Sequence, residues 1–288
     1  MIYSYTMMAT ASKCMRLFKL KYVDRLELRK IPIYFVTGRA FHEAREAWLK
    51  GQNWQEVIDR IFGSIDTTTL RAHDIAKIEE ERAKASGMMY GYANRYPEYR
   101  RQHNIMEQEF LIKLKGRGIR GFIDWIIKDG DDIVMIETKT ASNPDVDYFK
   151  RVKIDWQVHL YMVAIRSIFG RWPSRIIYEV IVKPGIRLRK NETPAQYQER
   201  LYQYYTDPLT SSDKFIREEI ILSKENLTEM KDELLYTIER IEQATRDQRY
   251  PKCPEACNGK YGPCDFMPIC TNGGRVDKLL FTKRKERR

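Results

Sequence analysis

Apolar residues in the first hundred positions fall at helical spacing between charged stretches. Over 10–26, Cys14, Phe18 and Tyr22 recur every four residues and share one face of a short helix. Two longer helices are expected over 36–61, with a break near Gly51-Gln52-Asn53, and over 67–95, beyond which Pro97 stops continuation. Their heavy charge leaves each only a stripe to bury.

The period then changes. Residues 105–114, 120–128 and 132–140 read as three strands, joined by Lys115-Gly116-Arg117-Gly118 and by Asp129-Gly130-Asp131, the latter a strong hairpin signal. In the third strand Ile133, Met135, Glu137 and Lys139 face one way, and Val134, Ile136 and Thr138 the other. Both faces begin apolar, as a central strand requires. After Asn143-Pro144 a helix is expected over 146–169, ending at Gly170, and a strand over 176–182, before Pro184-Gly185. Helices over 194–205 and 223–246 flank a strand at 215–222, and the last forty residues look irregular. With no internal repeat or low-complexity linker, the expectation is a single α/β domain over 1–288. It comprises an N-terminal helical region (1–104), a sheet core (105–222), and a C-terminal part (223–288) with a helix, a cysteine segment and a basic tail.

Composition adds a partner and a compartment. The 288 residues are 43% hydrophobic, enough for a core, and 51 Lys+Arg against 40 Asp+Glu leave a charge of +11 that favours a polyanion. The tail Lys283-Arg284-Lys285-Glu286-Arg287-Arg288 fits a DNA-contacting arm or a solubilising end equally. No long uncharged apolar run occurs, and the opening residues lack a basic flank followed by an apolar block. Neither a membrane span nor a signal peptide is expected, which places the chain in the cytoplasm, or the host cytoplasm if phage-encoded. Without export, the five cysteines, four of them near the C-terminus, suggest a metal or cluster site more than disulfides.

The candidate chemistry lies in the hairpin. Asp124 in the second strand and Glu137-Thr138-Lys139 at the end of the third can converge on one edge of the sheet. Two carboxylates and a backbone carbonyl, such as that of Thr138, make a hard oxygen site for one or two Mg2+ or Mn2+ ions, and Lys139 can orient the attacking water. A Glu-x-Lys pair on a strand is more often a solvated couple, but this one ends an apolar strand, where charge needs a reason. Gln157 and Tyr161 follow, one turn apart on a helix.

The runs Gly121-Phe122-Ile123-Asp124, Ile136-Glu137-Thr138-Lys139 and Gln157 to Tyr161 together resemble the PD-(D/E)XK nucleases of RecB-like type, which include CRISPR-associated and phage recombination exonucleases. The resemblance implies a restriction-endonuclease-like fold, a central mixed sheet flanked by helices. It implies catalytic roles for Asp124, Glu137 and Lys139, with Gln157 and Tyr161 positioning the lysine and the DNA backbone. In Gly38-Arg39-Ala40-Phe41-His42 it implies His42 as a further metal ligand; His73, His103 and His159 do not fit that element. It implies a supporting acid, Glu107 or Glu109. Tyr178 to Lys183, Glu192-Thr193 and Phe215-Ile216-Arg217 are similar to segments of the phage-type members, and Arg217 is either a phosphate contact or a surface ion pair.

The same resemblance implies a [4Fe-4S] cluster on Cys257, Cys264 and Cys270, with Cys14 as the fourth ligand, a structural staple between the chain ends. The competing reading is zinc held by Cys253, Cys257, Cys264 and Cys270; its weakness is that only Cys253 and Cys257 are as close as zinc-ribbon ligands usually are.

The function expected is that of a metal-dependent DNA exonuclease on ends or single strands, in phage-type recombination, replication or repair. Alternatives are a non-catalytic DNA-binding or assembly subunit, a CRISPR-adaptation nuclease, or a nuclease of RNA. No phosphate-cradling Gly-x-x-x-x-Gly-Lys loop is present, so unwinding would fall to a separate helicase, and a single-strand-annealing protein is another candidate partner.

Overall fold

Ser4 starts the first helix by accepting a hydrogen bond from the Met7 amide at 3.3 Å, giving α1 over Tyr5–Lys13. In the computed structural model, which describes residues 1–29, 33–68, 70–259 and 262–284, the helix expected over 10–26 is broken. Cys14 is extended (φ −162°, ψ 118°), so α2 (Met15–Phe18) starts afresh and runs into a π-helical turn at Lys19–Val23. A short strand, β1 (Leu26–Leu28), follows.

The helical hairpins come next: α3 (Ile33–Leu49), α4 (Trp54–Gly63) and α5 (Ala72–Arg95). The break expected at 51–53 is there, with Gly51 at φ 77° and the Asn53 side chain capping α4. The strands are β2 (Asn104–Leu114), β3 (Arg117–Asp129) and β4 (Asp132–Ala141). The expected 146–169 helix is two, α6 (Val146–Val152) and α7 (Trp156–Phe169), because the Asp155 carboxylate accepts from the Gln157 amide at 2.7 Å and opens a new N-terminus. Then come β5 (Arg175–Val182), α8 (Pro194–Thr206), β6 (Phe215–Glu219) and α9 (Lys224–Arg246). β6 stops short of 222 because Ser223 already caps α9.

The sheet order is β2-β3-β4-β5-β6, antiparallel except for the parallel β4–β5 pair that α6 and α7 connect. Two cores lie on its faces. One joins α1, α7 and α9 to Ile119, Ile123, Ile133 and Met135; the other joins α3, α5 and α8 to Trp125, Ile127, Val134 and Ile136. In the second, Gly91 of α5 lies so close to α8 that a Cβ there would come within 2.4 Å of that of Tyr205.

The C-terminal stretch is more ordered than its composition suggests. It holds β7 (Asn258–Gly259), β8 (Gly262–Pro263), α10 (Met267–Thr271) and β9 (Phe281–Lys283). β9 pairs antiparallel with β1, and Leu20, Leu26, Phe266, Ile269 and Phe281 form a third small core there. Within the basic tail, Lys283 ends β9 and Arg284 pairs with Glu27 at 3.3 Å; residues 285–288 lie outside the described residues. No helix among the described residues is long and apolar enough to cross a membrane.

Candidate active site

The hairpin opens into a fork. β3–β4 pairing runs from Asp129↔Asp132 to Trp125↔Ile136 and stops, while β4 continues against β5 through Glu137↔Tyr178, Thr138↔Glu179 and Lys139↔Val180. Asp124 and Glu137 are therefore the first residues past the fork. On the other side of β3, Met106↔Trp125 and Gln108↔Ile123 pair, but Glu107 and Asp124 between them do not. Glu107 has a left-handed backbone (φ 50°), a strained conformation for a non-glycine residue. The alternation slips there too: Ile119 and Ile123 belong to one core, Trp125 and Ile127 to the other. This local twist turns Glu107 and Asp124 into the open end of the fork.

His42, Glu107, Asp124 and Lys139 line one cavity of about 730 Å3, rimmed by Arg39 and Arg60. Glu137 lies fully buried beside it; one carboxylate oxygen contacts the Lys139 ammonium, and the other, Oε2, is buried with no hydrogen-bond partner. Lys139 Nζ donates to Gln157 Oε1 at 3.0 Å, and Gln157 Nε2 donates to the Tyr161 hydroxyl at 2.8 Å, so the pair on α7 fixes the lysine. The cap at Asp155 that divides α6 from α7 is what aims Gln157 at β4. His42 arrives because Gly38, one turn earlier on α3, lets that helix press on β4: a Cβ at Gly38 would stand 3.0 Å from Thr140 Oγ1. Glu107 lines the cavity, whereas Glu109 lies outside it and is paired with Arg120. His73 and His103 are exposed, and His159 is buried with Nδ1 against the Asp155 carbonyl at 2.7 Å.

Burial and the charge of Asp124 raise two acids of the site. Burial pushes Glu137 up to about 8, with Lys139 opposing and Asp124 adding to the rise; burial and Asp124 push Glu107 to about 7. Burial would lower Lys139, but Glu137 and Asp124 overcome it and hold it above its usual range, so it acts as an ammonium. Burial and the charge of Arg45 lower His42 to about 4, leaving a neutral imidazole at pH 7. Among the described residues no three His, Cys, Asp or Glu side chains are already gathered at ligating distance. Even so, the orphaned Glu137 oxygen, the crowded carboxylates and the neutral imidazole are the donors a hard divalent cation takes.

This crowding sets a sign for stability. An acid whose folded pKa exceeds its unfolded value binds more protons in the native state, so stability falls as pH rises through the interval between them. For Glu137 and Glu107 that interval runs from the ordinary 4.5 up to about 8 and 7. Their contribution should make the protein in EDTA melt at a lower temperature at pH 8.5 than at pH 6, and millimolar Mg2+ should narrow the gap. The comparison is made against Glu137→Gln; a pH response identical to wild type in that variant would contradict the assignment.

Behind the site is a polar network the sequence reading missed. Thr138 turns its hydroxyl away from the cavity and donates to Glu179 Oε2 at 3.0 Å. Glu179, fully buried on β5, is flanked by Arg45 at 3.6 Å and by Arg217, whose Nε donates to Oε1 at 2.6 Å; the Tyr92 hydroxyl donates to the same oxygen at 3.4 Å. Arg45 also donates to the Thr138 hydroxyl. Arg217 is thus not in a surface pair: it stacks on Tyr96 at 3.5 Å and pairs with an internal carboxylate. The network locks α3, and so His42, to β4.

A nuclease family model matches residues 3–271, which is nearly the whole chain. The chain belongs to the PD-(D/E)XK nuclease superfamily. A crystal structure of a candidate exonuclease from Eubacterium rectale is similar over 96% of this chain and 89% of its own, with a TM-score of 0.54 and 12% identity, so the two share a fold. A second solved structure, SSO0001, aligns over 82% of this chain and 84% of its own with 13% identity and a TM-score of 0.32. No curated protein matches. As a superfamily member the chain has the restriction-endonuclease-like fold, with the fork at the centre of its mixed sheet.

In this PD-(D/E)XK protein the cysteines form a second locus. Cys14, Cys253, Cys257, Cys264 and Cys270, all free thiols, line one cavity of about 220 Å3 with Leu17, Leu20, Phe266 and Met267. Burial raises the Cys270 thiol, and nearby Cys14 and Cys264 add to the rise against Lys252 and Arg16. Cys253 differs: its Sγ points to Glu255 Oε2 at 3.5 Å.

Proposed function

We propose that this superfamily member is a divalent-metal-dependent deoxyribonuclease, an exonuclease acting on DNA ends or single strands in phage-type recombination, replication or repair. The observation that carries this reading is the orphaned, buried oxygen of Glu137 at a fork shared with Asp124, Lys139, Glu107 and His42. Asp124 and Glu137, with His42 and the Thr138 carbonyl, would hold one or two Mg2+ or Mn2+ ions. Such a cation would supply charge stabilisation at the attacked phosphate. Lys139, fixed by Gln157, orients the attacking water and offsets negative charge as a P–O bond to that water forms and one ester P–O bond breaks. Tyr161 holds Gln157 in place, and Glu107 balances the charge of the cavity. The test is incubation of end-labelled linear DNA, single- and double-stranded, and of circular DNA with Mg2+, Mn2+ or EDTA. Expected are cation-dependent loss of linear substrate and survival of circles; binding without cleavage under every condition would favour an assembly or DNA-binding role.

The cysteine cavity fits a [4Fe-4S] cluster on Cys14, Cys257, Cys264 and Cys270, since these residues all border one apolar-lined space while Cys253 is turned to a carboxylate. Purified anaerobically, the protein should be brown. Cys14→Ser should lose most of the iron and the visible absorbance, and Cys253→Ser should keep both. Zinc in place of iron, lost on Cys253→Ser, would overturn the assignment.

A further inference from the structure

Asp124 borders two cavities. Besides the charged one shared with His42, it lines another of about 770 Å3 on the Gln157–Tyr161 side. This second cavity is a slot along the free edge of β3. At one end Tyr3 pairs with that edge: its amide donates to the Gly118 carbonyl at 2.9 Å, and the Arg120 amide donates to its carbonyl at 2.8 Å. At the other end β4 takes over at Trp125. Between the two, β3 has no neighbouring strand on that side among the described residues, and Gly121, Phe122 and Asp124 form the wall.

The lining of the slot differs in kind from that of the first cavity. It contains the rings of Tyr5, Phe110, Phe122 and Tyr161, with Arg120 at the rim. Phe110 and Tyr161 meet edge to face at 5.9 Å, and Phe110 lies over Gly121, where a Cβ would stand 2.6 Å from the ring. Phe122 is not part of that packing. It is 44% exposed and lines the slot together with Asp124, two residues on, with the Arg120 guanidinium 5.9 Å from its ring centroid. A half-exposed phenylalanine beside a cation, next to a phosphate-cleaving centre, has the chemistry of a base-stacking platform. The Arg120 guanidinium also meets Glu109 in an exposed pair, which competes weakly with a phosphate.

We propose that this slot binds the base of an unpaired nucleotide adjacent to the scissile phosphate, with Phe122 as its stacking surface, so that the substrate enters as single-stranded DNA. The inference rests on the nuclease reading and narrows its substrate. With the phosphate held at Asp124, Glu137 and Lys139, the next base must go either to the charged cavity or to the aromatic one, and the aromatic one matches it. A base-paired nucleotide keeps its face inside the duplex stack and cannot turn into the slot.

The experiment measures binding in EDTA of a single-stranded oligothymidylate and of its duplex with oligodeoxyadenylate, with wild type, Phe122→Ala and Phe122→Trp. Phe122→Ala should weaken single-strand binding by roughly 10-fold or more and leave duplex binding within about twofold, and Phe122→Trp should restore it. An oligothymidylate carrying abasic positions should abolish the difference between wild type and Phe122→Ala. Equal binding of the single strand by wild type and Phe122→Ala, or equal loss on both substrates, would overturn the slot. Cleavage assays separate the two readings. If cleavage depends on Asp124 while Phe122→Ala changes nothing, the slot fails and the nuclease stands; if no cleavage occurs but single-strand binding depends on Phe122, the slot stands and the nuclease reading fails.

Discussion

Asp124→Ala and Lys139→Ala should each reduce DNA cleavage by about 10²–10³-fold or more, the loss typical of removing a single preorganised electrostatic group from a reaction centre. The two variants should then part in stability. Asp124 raises both Glu137 and Glu107 by its charge, so removing it relieves repulsion and should leave the cation-free protein as stable as wild type or more so. At pH 8.5, where Glu137 is ionised, Lys139 is the partner of that buried carboxylate and its loss strands it, so Lys139→Ala should then melt below wild type and below Asp124→Ala in EDTA. Cleavage rates with saturating Mg2+ and melting curves in EDTA check both parts. Undiminished cleavage by either variant would remove the site assignment; a rise in stability on losing Lys139 would show that the ion pair is not what holds Glu137.

Glu179→Ala should cost about 3–5 kcal/mol, because it leaves two guanidiniums, Arg45 and Arg217, facing one another across an emptied buried position. The same change takes the acceptor from the Thr138 and Tyr92 hydroxyls. Glu179→Gln keeps an oxygen for those hydroxyls but not the charge, so it should fall between wild type and Glu179→Ala. Urea unfolding of the three proteins measures this. A loss under about 1 kcal/mol for Glu179→Ala would mean that solvent or a rearranged Arg217 compensates.

Several residues of the proposed site stand out in the sequence because they break a local rule. Glu137 and Lys139 put charge at the end of an apolar strand, and His42 sits one turn after a glycine whose reason proved to be the approach of α3 to β4. The hairpin itself followed from alternation and its Asp-Gly turn. Glu179 carried the same kind of signal, a lone carboxylate in Ile-Ile-Tyr-Glu-Val-Ile-Val, yet its partners come from α3 and β6, and separations of that length leave no periodicity to read. Tyr5 and Phe122 were illegible for another reason. An exposed aromatic gains meaning only from the cavity it borders, and that cavity is made by the edge pairing of Tyr3 with Ile119, a single bridge. The split of the 146–169 helix was visible in principle, since Asp155 stands two residues ahead of Gln157, but an apolar stripe runs through both halves and hides a cap.

The pairing of β1 with β9 has a bearing on how the molecule is made. Those strands meet across a long separation in sequence, Leu26 against Lys283, and the Arg16 amide donates to the Pro251 carbonyl at 3.0 Å in the same region. Closing so long a loop is entropically slow, and a ribosome releases the second strand long after the first. Until then Leu26 and Leu28 present an unprotected strand to other nascent chains, so chains that stop short of β9 should be the species that clump, and chains that include it the species that stay dispersed.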